Sequence, residues 1–291
     1  MEAKDTFFSK KETLNVNGRL ISPSFPLVMG IVNITPDSFY SGSRVNAESE
    51  VLRRCEQILS EGGEIIDIGA YSSRPDAEDI STAEEKERLA KVLGKIRKEF
   101  PYAIISVDTY RSEVASMAVK EFGADLINDI SGGTLDADMF ETIASLHVPY
   151  ILMHMKGTPQ TMKTLSKYDN LTHEILMFFA ERVNSLKKMG VADIIIDPGF
   201  GFAKNIAQNF QLLSNLDKFR FLNLPVLAGL SRKSFIYKTL NQSPEEALTG
   251  TISMNTIALL KGADILRVHD VKEAVECVRL FRAYNQQADK N

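Results

Sequence analysis

Residues 27–44 read LVMGIVNITPDSFYSGSR. Leu27 to Val32 are all apolar or small, and they run without a break into Asn33, Thr35, Asp37 and Ser38, with Pro36 fixing the turn. A short apolar run bounded by turn residues is the pattern of a strand buried on both faces. Its abrupt end in hydrogen-bonding side chains puts a candidate binding site at the strand's C-terminal end.

The pattern recurs along the chain. Apolar strands are predicted at 28–32, 65–68, 103–107, 125–127, 150–153, 193–196, 225–228 and 264–267. Between them the apolar period changes to that of a helix, as in Val51, Leu52, Cys55, Ile58 and Leu59, and again in Leu89, Val92, Leu93 and Ile96. Ser81-Thr82-Ala83-Glu84 and Ser243-Pro244-Glu245-Glu246 read as capping boxes that start helices. Gly62-Gly63, Gly123, Gly190 and Gly262 stand where helices should stop.

Buried strands alternating with amphipathic helices indicate an α/β protein with a parallel sheet covered by helices. Eight such units in 291 residues predict a single closed (β/α)8 TIM barrel, with a doubly wound open sheet as the other arrangement. No G-x-G-x-x-G follows the first strand, which weighs against the open sheet. Ahead of the barrel, residues 13–21 read as a short β-hairpin turning at Asn17-Gly18. The expected division is a 1–26 N-terminal segment with the hairpin and a 27–291 barrel.

Composition narrows the function. The chain is 44% hydrophobic and 25% charged, with a net charge of −4. That balance argues against a general grip on nucleic acid or an anionic membrane, so any anion must be held by a local basic cluster. The start, MEAKDTFFSKKE, is too charged for a secretory signal and no apolar run has the length of a membrane span, so a cytoplasmic address is expected. Cys55 and Cys277 lie at apolar positions of helical patterns, without metal or disulfide spacing. Residues 247–260, ALTGTISMNTIALL, form a predicted helix with no charge at all, which is expected to be covered on both sides, by a second subunit or by a loop.

In such a barrel the active site gathers where the strands end. The residues there are Asn33, Asp67 with Ser72 to Asp76, Asp108 to Arg111, Asn128-Asp129, His154, Asp197 to Phe202, Ser231 to Ser234, and Arg267 to Asp270. Asp129 and Asp270 are read as helix caps. Asp108, Asn128 and Asp197 would converge on one mouth, and carboxylates with an amide suit a flat heterocycle rich in N–H donors. Arg232, Lys233, Arg267 and His269 follow the last two strands, where barrels commonly bind phosphate, and Arg74 adds another cation. Phe202 follows two glycines and is placed to line a pocket, with Met153 nearby. No Ser-His-Asp order, no H-E-x-x-H and no cysteine nucleophile is present.

Taken together, MGIVNITPDSF, SSRPD, DTYR, INDISGG, LMHMKG, DPGFGF, LSRKSF and RVHD resemble, in order, the motifs of the dihydropteroate synthase family. The resemblance runs from about residue 27 to 270. It implies a (β/α)8 barrel, a homodimer formed through the last helices, and a transferase of folate biosynthesis. Its reaction would join 6-hydroxymethyl-7,8-dihydropterin pyrophosphate to p-aminobenzoate, giving 7,8-dihydropteroate and pyrophosphate through an SN1-like pterin cation. By this resemblance Asp108, Asn128, Asp197 and Lys233 hold the pterin, with Met153 and Phe202 beside it. Asn33 helps bind Mg²⁺, while Arg267 and His269 hold the pyrophosphate. Phe39, Ser73, Arg74, Pro75, Ser231 and Lys233 shape the p-aminobenzoate side, and Asp37, Arg74 and Lys233 are the catalytic candidates.

Two loops depart from the family pattern. Where the family usually reads S-D-G-G, this chain has Tyr40-Ser41-Gly42-Ser43, and for S-T-R-P-G it has Ser72-Ser73-Arg74-Pro75-Asp76. Two other readings share much of the pocket. Cobalamin-linked methyltransferases bind a pterin in a similar barrel but have little use for the basic cluster, and an inactive paralogue would keep the pocket without turnover.

Overall fold

Apolar strands with no polar face can persist only where both faces are covered, and a closed barrel ringed by helices meets that demand. The computed structural model describes residues 13–16, 19–21, 26–34, 44–71 and 80–288. The strands are β1 (Leu14–Val16), β2 (Arg19–Ile21), β3 (Leu27–Asn33), β4 (Ile65–Gly69), β5 (Ile104–Asp108), β6 (Leu126–Asp129), β7 (Tyr150–Met153), β8 (Ile194–Asp197), β9 (Leu227–Ala228) and β10 (Ile265–Val268). Among the described residues the helices are α1 (Arg44–Ser60), α2 (Thr82–Glu99), α3 (Ser112–Phe122), α4 (Met139–Leu146), α5 (Leu171–Lys188), α6 (Ile206–Ser214), α7 (Ser234–Thr239), α8 (Leu248–Leu260) and α9 (Val271–Ala288).

The eight strands from β3 onward are hydrogen-bonded in the order β8-β7-β6-β5-β4-β3-β10-β9. All the pairs are parallel, and the last strand lies against the first, with Ile265 opposite Leu27. The ring closes at a bridge between Ile196 and Val226, where the Ile196 N–H donates to the Pro225 carbonyl at 2.9 Å. This is the predicted barrel, and the open sheet is excluded. The β9 strand is shorter than its predicted 225–228 span, because Val226 contributes only that single bridge.

Side chains alternate between two cores. Outward-facing Val28, Ile66, Val107, Ile127 and Ile196 pack under the helices, while inward-facing Leu27, Met29, Ile65, Leu126, Ile151, Ile195, Leu227 and Ile265 fill the barrel floor. The β1–β2 ribbon plugs that floor with Leu14 and Val16. Its two strands pair antiparallel from Leu14 opposite Ile21 to Val16 opposite Arg19, as a hairpin about Asn17-Gly18 requires; those two turn residues lie outside the described residues.

Acidic residues finish the strand starts. Glu64 accepts the Val28 N–H at 2.8 Å, Asp125 that of Ile105 at 2.8 Å, and Asp264 that of Val226 at 2.9 Å. Asp125 and Asp264, predicted inside strands, sit one residue before them. There each carboxylate satisfies a buried amide at the floor of the ring.

Helix starts follow the sequence in part. The Ser81 hydroxyl accepts the Glu84 N–H at 3.1 Å and opens α2. At Ser243 the Glu246 carboxylate accepts the Ser243 N–H at 2.9 Å, but α8 begins only at Leu248, after a turn. The uncharged helix is covered on one face only: Thr251, Asn255, Ala258 and Leu259 are buried, whereas Ile257 and Leu260 are exposed, beside the exposed Leu280 and Tyr284 of α9. No described loop of the chain covers that second face. Among the described residues, no helix is long and apolar enough to cross a membrane.

Candidate active site

Following the inward-facing positions up each strand converts the floor into the site. Two residues beyond the floor layer, Ile65 is followed by Asp67, Leu126 by Asn128, Ile151 by Met153, Ile195 by Asp197, Leu227 by Gly229 and Ile265 by Arg267. On β5, Ile104 is followed by Ser106 and then by Asp108. The period of two that packs the floor therefore aims a ring of polar groups into the C-terminal mouth.

The ring is internally paired. Arg267 donates from Nε to Asp67 Oδ2 and from its terminal nitrogen to Asp108 Oδ2, both at 2.6 Å. Asp67, fully buried, also accepts the Ser106 hydroxyl at 2.7 Å and the Asn128 amide at 3.1 Å. On the other side of the mouth, the Gly199 N–H caps Asp197 Oδ1 at 2.8 Å. A side chain at Gly229 would stand 3.9 Å from both Asp197 Oδ2 and Lys233 Nζ and 4.0 Å from Arg267 Cβ, so those three groups converge above a bare backbone. Lys233 donates to the Phe200 carbonyl, and its ammonium lies 4.6 Å from the centre of the Phe202 ring. Met153 is buried in the apolar wall that Phe202 packs against.

Burial strains these charges. It pushes the Asp108 carboxyl up to about 7 against the pull of Arg267, and it raises Asp197 against the pull of Lys233. It lowers Lys233 to about 8, with Asp197 opposing. Arg267 goes the other way: burial disfavours its charge, but Asp67 and Asp108 outweigh that and hold the proton more firmly than usual.

At the rim, Ser231 Oγ lies 3.0 Å from His269 Nδ1, and the His269 N–H donates to the same hydroxyl at 3.2 Å. Asn33 ends β3 and is exposed, paired in register with Gly69, which is itself paired with Asp108. Asp37, Phe39, Ser73, Arg74 and Pro75, like the departures at Ser41 and Asp76, lie outside the described residues.

Three strand-end residues are used differently from their neighbours. Arg232 turns away from the mouth, held bidentately by Asp270 at 2.8 and 3.0 Å and by the Pro244 and Glu245 carbonyls. Asp270 is thus an ion-pair partner, and its carboxylate is not a helix cap. Asp129 accepts the Ser131 and Gly133 N–H groups and the Tyr150 hydroxyl, which fixes the turn after β6 well before α4 begins. Asp67 stands among the strand-end residues without an assigned role, and its place as the hub, like that of Lys204 buried behind the β8 loop, is seen only in the fold. For Asp67 the signal was available, since a carboxylate inside the apolar run IIDIG demands a buried partner.

Metal ligands are sparse. No cluster of three or more His, Cys, Asp or Glu side chains able to hold a metal exists among the described residues.

A barrel whose mouth pairs buried carboxylates with an amide, a lysine and an arginine defines an enzyme built for a polar heterocycle beside an anion. Residues 29–269 match the family model described as pterin binding enzyme. The dihydropteroate synthase of Escherichia coli (strain K12) is 40% identical over 272 residues, spanning 93% of this chain and 95% of that protein. The solved dihydropteroate synthase of Yersinia pestis with a sulfonamide drug complex superposes with a TM-score of 0.87 at 38% identity, covering 94% of this chain and 99% of that one. That of Xanthomonas albilineans with 4-aminobenzoic acid gives a TM-score of 0.86 at 34% identity, covering 95% and 99%. The chain belongs to the dihydropteroate synthase family of pterin-binding enzymes, which are transferases of folate biosynthesis.

Proposed function

We propose that the chain condenses 6-hydroxymethyl-7,8-dihydropterin pyrophosphate with p-aminobenzoate to 7,8-dihydropteroate and pyrophosphate. The observation that carries the reading is the convergence of Asp108, Asn128, Asp197, Lys233 and Arg267 in one barrel mouth. The Xanthomonas albilineans relative with 4-aminobenzoic acid supports the second substrate.

The pterin's amino-pyrimidinone edge offers N–H donors to Asp197 and Asp108, with Asn128 supplying an amide. The Lys233 ammonium donates to the ring carbonyl and nitrogen, and Met153 and Phe202 line the apolar surroundings. Arg267 and His269 face the pyrophosphate. The C–O bond to the exocyclic methylene breaks first, in an SN1-like step, and the positive charge spreads into the pterin, where the neighbouring carboxylates stabilise it. The amine of p-aminobenzoate, neutral at pH 7, then forms the C–N bond and releases its proton. No strong base is needed, which fits a site without a catalytic triad. Ser231 and Lys233 border the p-aminobenzoate side, completed by Phe39, Ser73, Arg74 and Pro75, while Asp37 and Arg74 act from the two loops.

Asn33, exposed at the end of β3, supplies one amide oxygen. Mg²⁺ usually takes one or two protein oxygens and completes its shell with phosphate and water, so a lone Asn beside the pyrophosphate fits that donor chemistry. When bound, the ion would neutralise the departing pyrophosphate. The exposed apolar faces of α8 and α9, with Ile257, Leu260, Leu280 and Tyr284, support a homodimer formed through these helices. The reaction would run in the cytoplasm.

The test is a pyrophosphate-release assay with mass detection of 7,8-dihydropteroate. Release that requires both substrates supports the reading. No release overturns it in favour of an inactive pterin-binding protein, and methyl transfer to cobalamin would favour the methyltransferase.

A further inference from the structure

The loop after β8 is held in an unfavourable backbone path. Gly199, Gly201 and Ala203 all have positive φ, at 74°, 80° and 48°. Glycine tolerates this, but alanine does so at a cost, so something must hold the turn closed. A side chain at Gly199 would stand 2.0 Å from the His154 carbonyl oxygen, which shows how tightly the loop is pressed onto the end of β7.

Lys204 sits behind this loop and faces away from solvent. Its ammonium has three acceptors: the Gly199 carbonyl at 2.9 Å, the Phe202 carbonyl at 3.0 Å and His154 Nδ1 at 3.1 Å. An ammonium has three hydrogens, so its donor capacity is filled. The bond also fixes the His154 tautomer, with Nδ1 accepting and the proton on Nε2. Burial first, and the Lys204 charge second, keep that imidazole neutral, down to about 2; burial works against the Lys204 charge as well, with Asp197 opposing it. Asn209 completes the fastening, accepting the Gly201 N–H at 2.7 Å and donating to the Lys204 carbonyl at 3.2 Å.

The two carbonyls that Lys204 grips belong to residues with a part in the mouth. Gly199 caps Asp197 through its N–H, and Phe202 presents its ring to Lys233. Fixing those residues from behind fixes the acid and the ring in front. We infer that Lys204 is a positioning residue for the pterin half of the reaction: its ammonium clamps the Gly199–Phe202 turn against His154, so that Asp197 and Phe202 stand ready before substrate arrives. The inference rests on the reading of this mouth as a pterin site. Lys204 touches no reacting atom, and its effect travels through the backbone.

Lys204→Met keeps the aliphatic stem and removes the ammonium from two carbonyls and an imidazole nitrogen, leaving the Gly199 carbonyl with only the Phe202 N–H at 3.1 Å. Titration calorimetry with 6-hydroxymethyl-7,8-dihydropterin pyrophosphate is expected to show Kd raised about 10- to 100-fold, with kcat lowered. The KM for p-aminobenzoate should move less than about three-fold, because among the described residues on that side the loop touches Lys233, through the Phe200 carbonyl and the Phe202 ring, and neither contact involves Lys204. Lys204→Arg, which retains charge and donors, should recover at least part of the affinity. A merely structural role would lower the melting temperature without separating the two substrates. Pterin affinity unchanged in a folded K204M protein, or equal losses for both substrates, would overturn the inference. Should K204M not fold, His154→Phe removes one acceptor and is expected to raise the pterin Kd about three-fold, and no change there is equally fatal. A wild-type protein that binds no pterin pyrophosphate would sink the functional reading itself, which separates the two failures.

Discussion

Arg267 Nε meets Asp67 Oδ2 at 2.6 Å inside the barrel, so the arginine at the centre of the mouth is tied to a carboxylate that no solvent reaches. Asp67→Asn weakens that tie while keeping the shape. Removing one partner of a buried ion pair costs about 3–5 kcal/mol, and because Asp108 still holds the guanidinium we expect less than that, roughly 2–3 kcal/mol. Thermal unfolding should show a melting temperature lower by roughly 5–10 °C. An unchanged midpoint would mean that Asp108 alone anchors Arg267.

The acid and the lysine of the mouth set opposite pH demands. Asp108, pushed up to about 7, must lose its proton to accept from the pterin, so activity rises as pH climbs through that value. Lys233, lowered to about 8, must keep its proton to donate, so activity falls above it. The profile of kcat/KM for the pterin pyrophosphate, which reports the free enzyme, should be a narrow bell between these values. Lys233→Arg should shift the alkaline limb upward and leave the acid limb in place; an unmoved alkaline limb would assign it to another group.

Chelation separates a catalytic metal from a structural one. EDTA should abolish turnover and leave the melting temperature within about 1 °C, because at most one or two protein oxygens are committed to Mg²⁺. A large fall in melting temperature would point to a structural ion.

The open face of α8 and α9 supports a surface prediction. Leu280, 73% exposed, is expected to become buried in the proposed homodimer, so Leu280→Glu should shift sedimentation from dimer to monomer with little loss of monomer stability. A dimer that persists unchanged would place the interface elsewhere.

The strands were legible because a segment buried on both faces has no polar alternation to hide it, and each predicted strand lies within about two residues of an observed one. The mouth was legible where strand ends could be read directly, as at Asp108, Asn128 and Asp197. Asp67 is legible as a strand-end residue, with the same inward parity as Asn128, but its role as hub is not, because its partner Arg267 lies 200 residues away in the chain. Arg232 and Lys233 are adjacent in sequence, and only the folded path, with Arg232 at a φ of 54°, sends one outward and the other into the mouth. The uncharged helix implies cover on both faces, whereas a single chain covers one. Lys204 gave no local signal, since a lysine before a helix looks like any solvated cation until its burial is seen.

Glu64, Asp125 and Asp264 hold the strand amides at the floor, at the opposite end of the strands from the ring of groups proposed to meet substrate. The two ends of the barrel therefore differ in how freely they can drift over generations. Exchanges at the rim would alter what is recognised while the strands stay seated, so a change of specificity lies within reach of single substitutions there. An exchange among the floor acids unseats a strand first, and selection would meet it as a folding defect before any change in chemistry appeared.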